Sequence, residues 1–100
     1  MKRETFTELL KSKEDFLLLD IREADELAEN VTIEGALNMP MGKVFTEAIK
    51  GNLPKDRQII VFCRTGGRAK IVEHEMQKRG FDVHGLEGGL EALRSTKDGK

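Results

Sequence analysis

One hundred residues with 38% hydrophobic and 35% charged side chains describe a single well-solvated domain. A domain of that size buries somewhat more than ~60% of the surface its unfolded chain exposes. Seventeen basic against eighteen acidic side chains leave a net charge of −1, which excludes an overall electrostatic pull toward nucleic acid or a membrane surface.

No apolar stretch follows Met1-Lys2-Arg3 to make a signal peptide or a membrane span. The single cysteine leaves no intramolecular disulfide and fits a reducing compartment, so a cytoplasmic chain is expected. In chain order, Phe6, Leu9 and Leu10 carry the spacing of one helical face. Phe16-Leu17-Leu18-Leu19-Asp20 is a continuous apolar run, as a strand covered on both sides requires. Ala24 to Glu29 suits a helical turn or two, and Ala36 to Met39 a short strand ended by Pro40. Met41 to Lys50 predicts a helix with Val44, Phe45, Ala48 and Ile49 inward, stopped by Gly51-Asn52.

Gln58 to Cys63 is the clearest strand. A helix from Ala69 through Arg79 then buries Ala69, Val72 and Met76 and stops at Gly80. Phe81 to Leu86 returns as a strand, Gly88-Gly89 turns, and Leu90 to Arg94 forms a last short helix. The core is thus expected over about 5–94, with a polar, fraying tail at 95–100. Alternating strands and helices imply an α/β fold: a small, mainly parallel sheet with helices on both faces. Ligands bind such sheets beyond the carboxyl ends of the strands, where Cys63 and Asp20-Ile21-Arg22 fall.

Cys63 opens the loop Cys63-Arg64-Thr65-Gly66-Gly67-Arg68, between the buried strand and a helix. Helix N-termini offer unpaired N–H groups and partial positive charge, which favour thiolates and bound anions. Arg64 and Arg68 add fixed cations, and Gly66 and Gly67 let the backbone curl so that amides turn inward. A cysteine that merely packs gains nothing from such surroundings. Arg68 sits in the first helical turn, against the macrodipole, which asks for a compensating anion: a substrate or the group it leaves on sulfur. A solvated side chain, or one paired with Glu87, is the plain alternative, and Glu26 is expected to pair with an arginine. Arg64 is expected to face solvent at the mouth.

Cys-x4-Arg between strand and helix resembles the active-site loop of the rhodanese (sulfurtransferase) family. Three further stretches are similar to that family in order and spacing: Asp20-Ile21-Arg22 with Glu26, Gly35-Ala36-Leu37-Asn38-Met39-Pro40, and Leu86-Glu87-Gly88-Gly89. The resemblance spans roughly Phe16 to Leu93. It departs at Val31-Thr32-Ile33-Glu34, where the family carries Gly-His-Ile, and in lacking tryptophan after the double glycine, a place left to Leu93. It implies that Cys63 takes sulfane sulfur from thiosulfate or a similar donor as a persulfide and passes it to a thiophilic acceptor, with a protein acceptor a further option. Arg64, Thr65, Gly66, Gly67 and Arg68 would bind the substrate, with Asp20, Arg22 and Glu26 as structural support. No cofactor, metal, nucleic acid or membrane partner is implied.

Two rivals stand beside it. A non-catalytic or sulfur-relay module would carry the same loop. A Cys-based phosphatase or arsenate reductase uses a similar loop one residue longer than the four between Cys63 and Arg68. His74, between two glutamates, is expected exposed and His84 packed, and nothing in their spacing brings either to Cys63.

Overall fold

The computed structural model describes residues 1–28 and 32–98. Its elements run α1 (Arg3–Lys11), β1 (Phe16–Asp20), a 3-10 helix (Ala24–Ala28), β2 (Leu37–Asn38), α2 (Met41–Ile49), β3 (Gln58–Phe62), α3 (Gly67–Lys78), β4 (Val83–Gly85) and α4 (Gly89–Asp98). The strands form one parallel sheet in the order β2-β1-β3-β4. β1 and β3 pair along their whole length, from Phe16 beside Gln58 to Asp20 beside Phe62.

The continuous apolar runs of β1 and β3 are explained by the two faces of the sheet. Successive strand side chains point to opposite sides. Ile59 and Val61 accordingly join Leu19, Val44, Val72 and Met76 in one cluster, under α2 and α3. Ile60 and Phe62 join Phe6, Leu18 and Leu86 in the other, under α1 and α4. Full burial of each such side chain is worth about 1.5–3 kcal/mol, so both layers contribute to holding the strand that delivers Cys63. Leu93 is partly buried against the second cluster.

Several boundaries differ from the sequence reading. Ile49, expected inward, is 68% exposed. At about 100° per residue it lies roughly 140° around the helix from buried Val44. α4 continues through Asp98, so residues 95–98 extend a helix where a polar tail was expected. β2 and β4 are shorter than anticipated, although Phe81 is still buried beside β4. Glu29 and residues 99–100 lie outside the described residues. Among the described residues no helix is long and apolar enough to cross a membrane.

Candidate functional site

β1 and β3 are neighbours, but the chain leaves them in opposite directions. β1 connects to β2 on one side, and β3 connects through α3 to β4 on the other. The crevice outside such a pair is the topological switch point at which α/β sheets take their ligands. Cys63 follows directly on Phe62 at this point, and the Ile21 N–H donates to the Phe62 carbonyl at 3.0 Å, tying the two strand exits together.

Cys63 is buried, with 1% exposure, and its Sγ accepts a hydrogen bond from the Gly66 N–H at 3.2 Å. The turn that allows this has left-handed backbone at Gly66, with φ +104°, and a Cβ there would lie 2.9 Å from the Gly88 nitrogen. Only glycine meets both demands. The opposite side of the loop is held by α4, whose Leu90 and Glu91 N–H groups donate to the carbonyls of Cys63 and Arg64, each at 3.0 Å. These are helix-start donors without partners in their own helix, so loop and helix satisfy one another.

Arg68 does not pair with Glu87. Its guanidinium grips the Glu26 carboxylate in a two-pronged contact, at 2.7 and 2.9 Å. Glu87 lies instead 3.8 Å from the N-terminal ammonium of Met1. The Glu26 carboxylate also accepts the Glu23 N–H at 2.8 Å, closing the turn after β1. Chiefly through the Arg68 hydrogen bonds, Glu26 is held at about 2, far below the usual carboxylate range. Arg68 is raised in turn, first by its hydrogen bonds to Glu26.

Arg64 is 57% exposed and pairs with Glu91 at 3.2 Å, at the rim. Thr65, Gly66 and Gly67 line a groove of about 520 Å³ with Lys70, Glu73 and the 85–88 turn.

Asp20 and Arg22 form an ion pair with both side chains 1% exposed, Arg22 Nη2 donating to Asp20 Oδ2 at 2.8 Å. Burial pushes the Asp20 carboxyl up, but hydrogen bonds from Arg22 and from the Thr32 hydroxyl outweigh it and leave the group below its ordinary value. Thr32, whose hydroxyl reaches Asp20 at 2.6 Å, was missed in the sequence, as was Asn38, whose amide donates to the carbonyls of Asp20 and Arg22 at 2.9 and 3.0 Å. A polar residue in a stretch of unusual spacing was the only signal for Thr32, and its neighbour Val31 lies outside the described residues. His74 is exposed, whereas His84 is not simply packed: its Nε2 lies 2.9 Å from Asp82 Oδ1.

Comparison with known proteins bears on the family and the fold. The family model of the rhodanese-like domain matches residues 3–96. A sulfurtransferase of Allochromatium vinosum is 33% identical over 88 residues, covering 87% of this chain and 79% of its own length. A tRNA sulfurtransferase of Desulfurococcus amylolyticus is 28% identical over 81 residues; the match takes in 81% of this chain and 15% of that protein. The crystal structure of a rhodanese-related protein from Thermoplasma volcanium superposes with a TM-score of 0.80 at 22% identity, over 96% of this chain and 90% of that one. With the family model matched over nearly the whole chain and a relative one-third identical over most of both lengths, the chain belongs to the rhodanese-like domain family.

Proposed function

We propose that the protein is a sulfurtransferase that carries sulfane sulfur on Cys63. The Cys63 thiolate attacks the outer sulfur of thiosulfate or a similar donor. The S–S bond of the donor breaks, sulfite leaves with the bonding pair, and Cys63 becomes a persulfide. A thiophilic acceptor such as cyanide or a thiol then attacks the outer persulfide sulfur and regenerates the thiolate, a two-step cycle through a covalent intermediate. No external oxidant or reductant is consumed.

The observation that carries this reading is the Gly66 N–H on Cys63 Sγ at 3.2 Å, at the start of α3. A donor aimed at that sulfur stabilises negative charge there in the manner of an oxyanion hole. Donor contacts are assigned to the loop from Thr65 to Arg68 and acceptor selection to Arg64 at its mouth, and Asp20, Arg22 and Glu26 hold the neighbouring turns. A cytoplasmic setting, where the lone thiol stays reduced, suits this chemistry.

A second reading, sulfur relay to a partner protein, is favoured by the match to a short part of a tRNA sulfurtransferase, 15% of its length. Intact-mass measurement after thiosulfate treatment tests the main reading. One added sulfur on the wild type, removed by cyanide and absent from Cys63→Ser, is the expected result. An unchanged wild-type mass with thiosulfate, but sulfur gained from a persulfidated protein, would favour relay instead.

A further inference from the structure

Each guanidinium around the thiol already has a carboxylate partner. Arg22 is paired with Asp20, Arg64 with Glu91 and Arg68 with Glu26. The Arg68 pair differs from the other two. Arg22 is sealed in the interior and Arg64 stands at the rim, but Arg68 is one-third exposed in the first turn of α3, just after the Gly66 N–H that donates to Cys63 Sγ. It is therefore the cation placed to meet a donor's negative charge, and Glu26 occupies it through two N–H groups.

We propose that Glu26 sets the charge selectivity of the loop: it competes with the donor for Arg68 and so disfavours doubly charged donors relative to singly charged ones. The inference rests on the sulfurtransferase reading and adds to it a residue that acts through Arg68, a positioning residue outside the reacting atoms. The physical reason is a difference in repulsion. A dianion entering beside the Glu26 carboxylate meets about twice the Coulomb penalty that a monoanion meets, in a site partly shielded from water. It also gains from Arg68 only by loosening a contact already made. Selectivity of this kind comes from a repulsive element as much as from an attractive one.

The two classes of donor share one chemistry. With thiosulfate, Cys63–S⁻ takes the outer sulfur and a sulfite dianion leaves. With methanethiosulfonate, Cys63–S⁻ takes the same outer sulfur and a methanesulfinate monoanion leaves. In both, one S–S bond breaks, one forms, and the persulfide on Cys63 is the same.

Glu26→Gln removes the charge and keeps the shape. Its side-chain oxygen still accepts one Arg68 N–H and the Glu23 N–H that shape the turn. The expected result is that kcat/KM for thiosulfate rises relative to that for methanethiosulfonate by roughly five-fold or more, through KM rather than kcat. A ratio within two-fold of the wild type, or an equal fall with both donors, would assign Glu26 a purely structural role and overturn the proposal. If Glu26→Gln does not fold, as judged by thermal unfolding, Glu26→Asp takes its place. Its shorter carboxylate keeps the charge but cannot span both contacts, so only the competition for Arg68 is relieved, and the ratio shifts the same way by a smaller factor or the proposal fails.

Inorganic sulfate separates this idea from the reading it rests on. If neither donor sulfurates wild-type Cys63, the sulfurtransferase assignment falls. Sulfate titration followed by amide chemical shifts of Gly66 to Arg68 then still decides the point. Tighter sulfate binding in Glu26→Gln supports the competition for Arg68, and unchanged binding refutes it.

Discussion

Gly89 stands against the backbone of Cys63: a Cβ at position 89 would lie 2.5 Å from the Cys63 carbonyl oxygen, at a residue whose φ is already +59°. The reactive loop is thus built on two sides at once. α3 grows out of it, and the first turn of α4 closes over its carbonyls. Distortion of that contact should reach the sulfur without touching any group that meets substrate.

Gly89→Ala is expected to cost roughly 1–3 kcal/mol, from the unfavourable φ together with the displaced loop. At about 4–8 °C per kcal/mol for a domain of this size, the Tm falls accordingly. Thermal unfolding and sulfur loading of Cys63 should decline together. A variant with wild-type Tm and loading would show that α4 does not shape the loop.

Asp20→Asn breaks the buried ion pair and leaves the Arg22 guanidinium without its counter-charge. Removal of one partner of such a pair costs about 3–5 kcal/mol, because the remaining charge stays out of water. Urea unfolding should show a large fall in midpoint with an unchanged slope. A change below about 1 kcal/mol would mean that Arg22 finds water or another carboxylate in the variant.

Acid should weaken the fold through Glu26 and Asp20. Both carboxyls are lowered in the folded protein, Glu26 from an ordinary 4.5 to about 2. A group lowered on folding contributes stability above its unfolded pKa and loses that contribution as pH falls through the folded one. Glu26 therefore contributes fully above 4.5 and is lost between 4.5 and about 2. Its partial exposure tempers the size of the effect. Urea midpoints measured against pH should fall across this window, with a shallower fall in Glu26→Gln. An identical pH profile in the variant would remove Glu26 from the account.

Arg64→Ala separates the rim from the interior of the loop. Its pair with Glu91 is exposed, so stability should change by less than ~1 kcal/mol, and sulfur loading from thiosulfate should persist. What should change is the relative rate with different acceptors, measured with cyanide and with a bulkier thiol. Loss of loading itself would place Arg64 among the groups that bind the donor.

The parts of the structure legible in the sequence are those written in local pattern. The runs Phe16–Asp20 and Gln58–Phe62 announced buried strands because both faces of the sheet need apolar side chains. The loop from Cys63 to Arg68 stood out because glycines and cations there serve no packing purpose. Long-range pairings carried no such mark. Arg68 lies far along the chain from Glu26: the sequence points Glu26 to an arginine without saying which and offers Glu87 for Arg68, and only the fold, by bringing the turn after β1 beside α3, makes the pair. Ile49 misled for a different reason: its place around α2 turns it away from the face of Val44 and Ala48, and hydrophobicity alone does not keep it inside. Thr32 escaped notice because a single hydroxyl in a loop signals nothing before the carboxylate it meets is in place.

The order of the strands has a consequence for how the chain is made. Synthesis runs from the N-terminus, and β3, with its row Ile59, Ile60, Val61 and Phe62, is translated well before β4, which completes its second edge. For that interval the nascent chain carries an apolar strand with one open side, the kind of edge that invites pairing with a neighbouring chain. Among the described residues, the finished sheet has outer strands of only two and three residues, and short edge strands blunt such pairing. For β3 the hazard therefore falls in the window between its own emergence and that of β4. A ribosome pausing between them would prolong the exposure, and a chaperone binding there would end it.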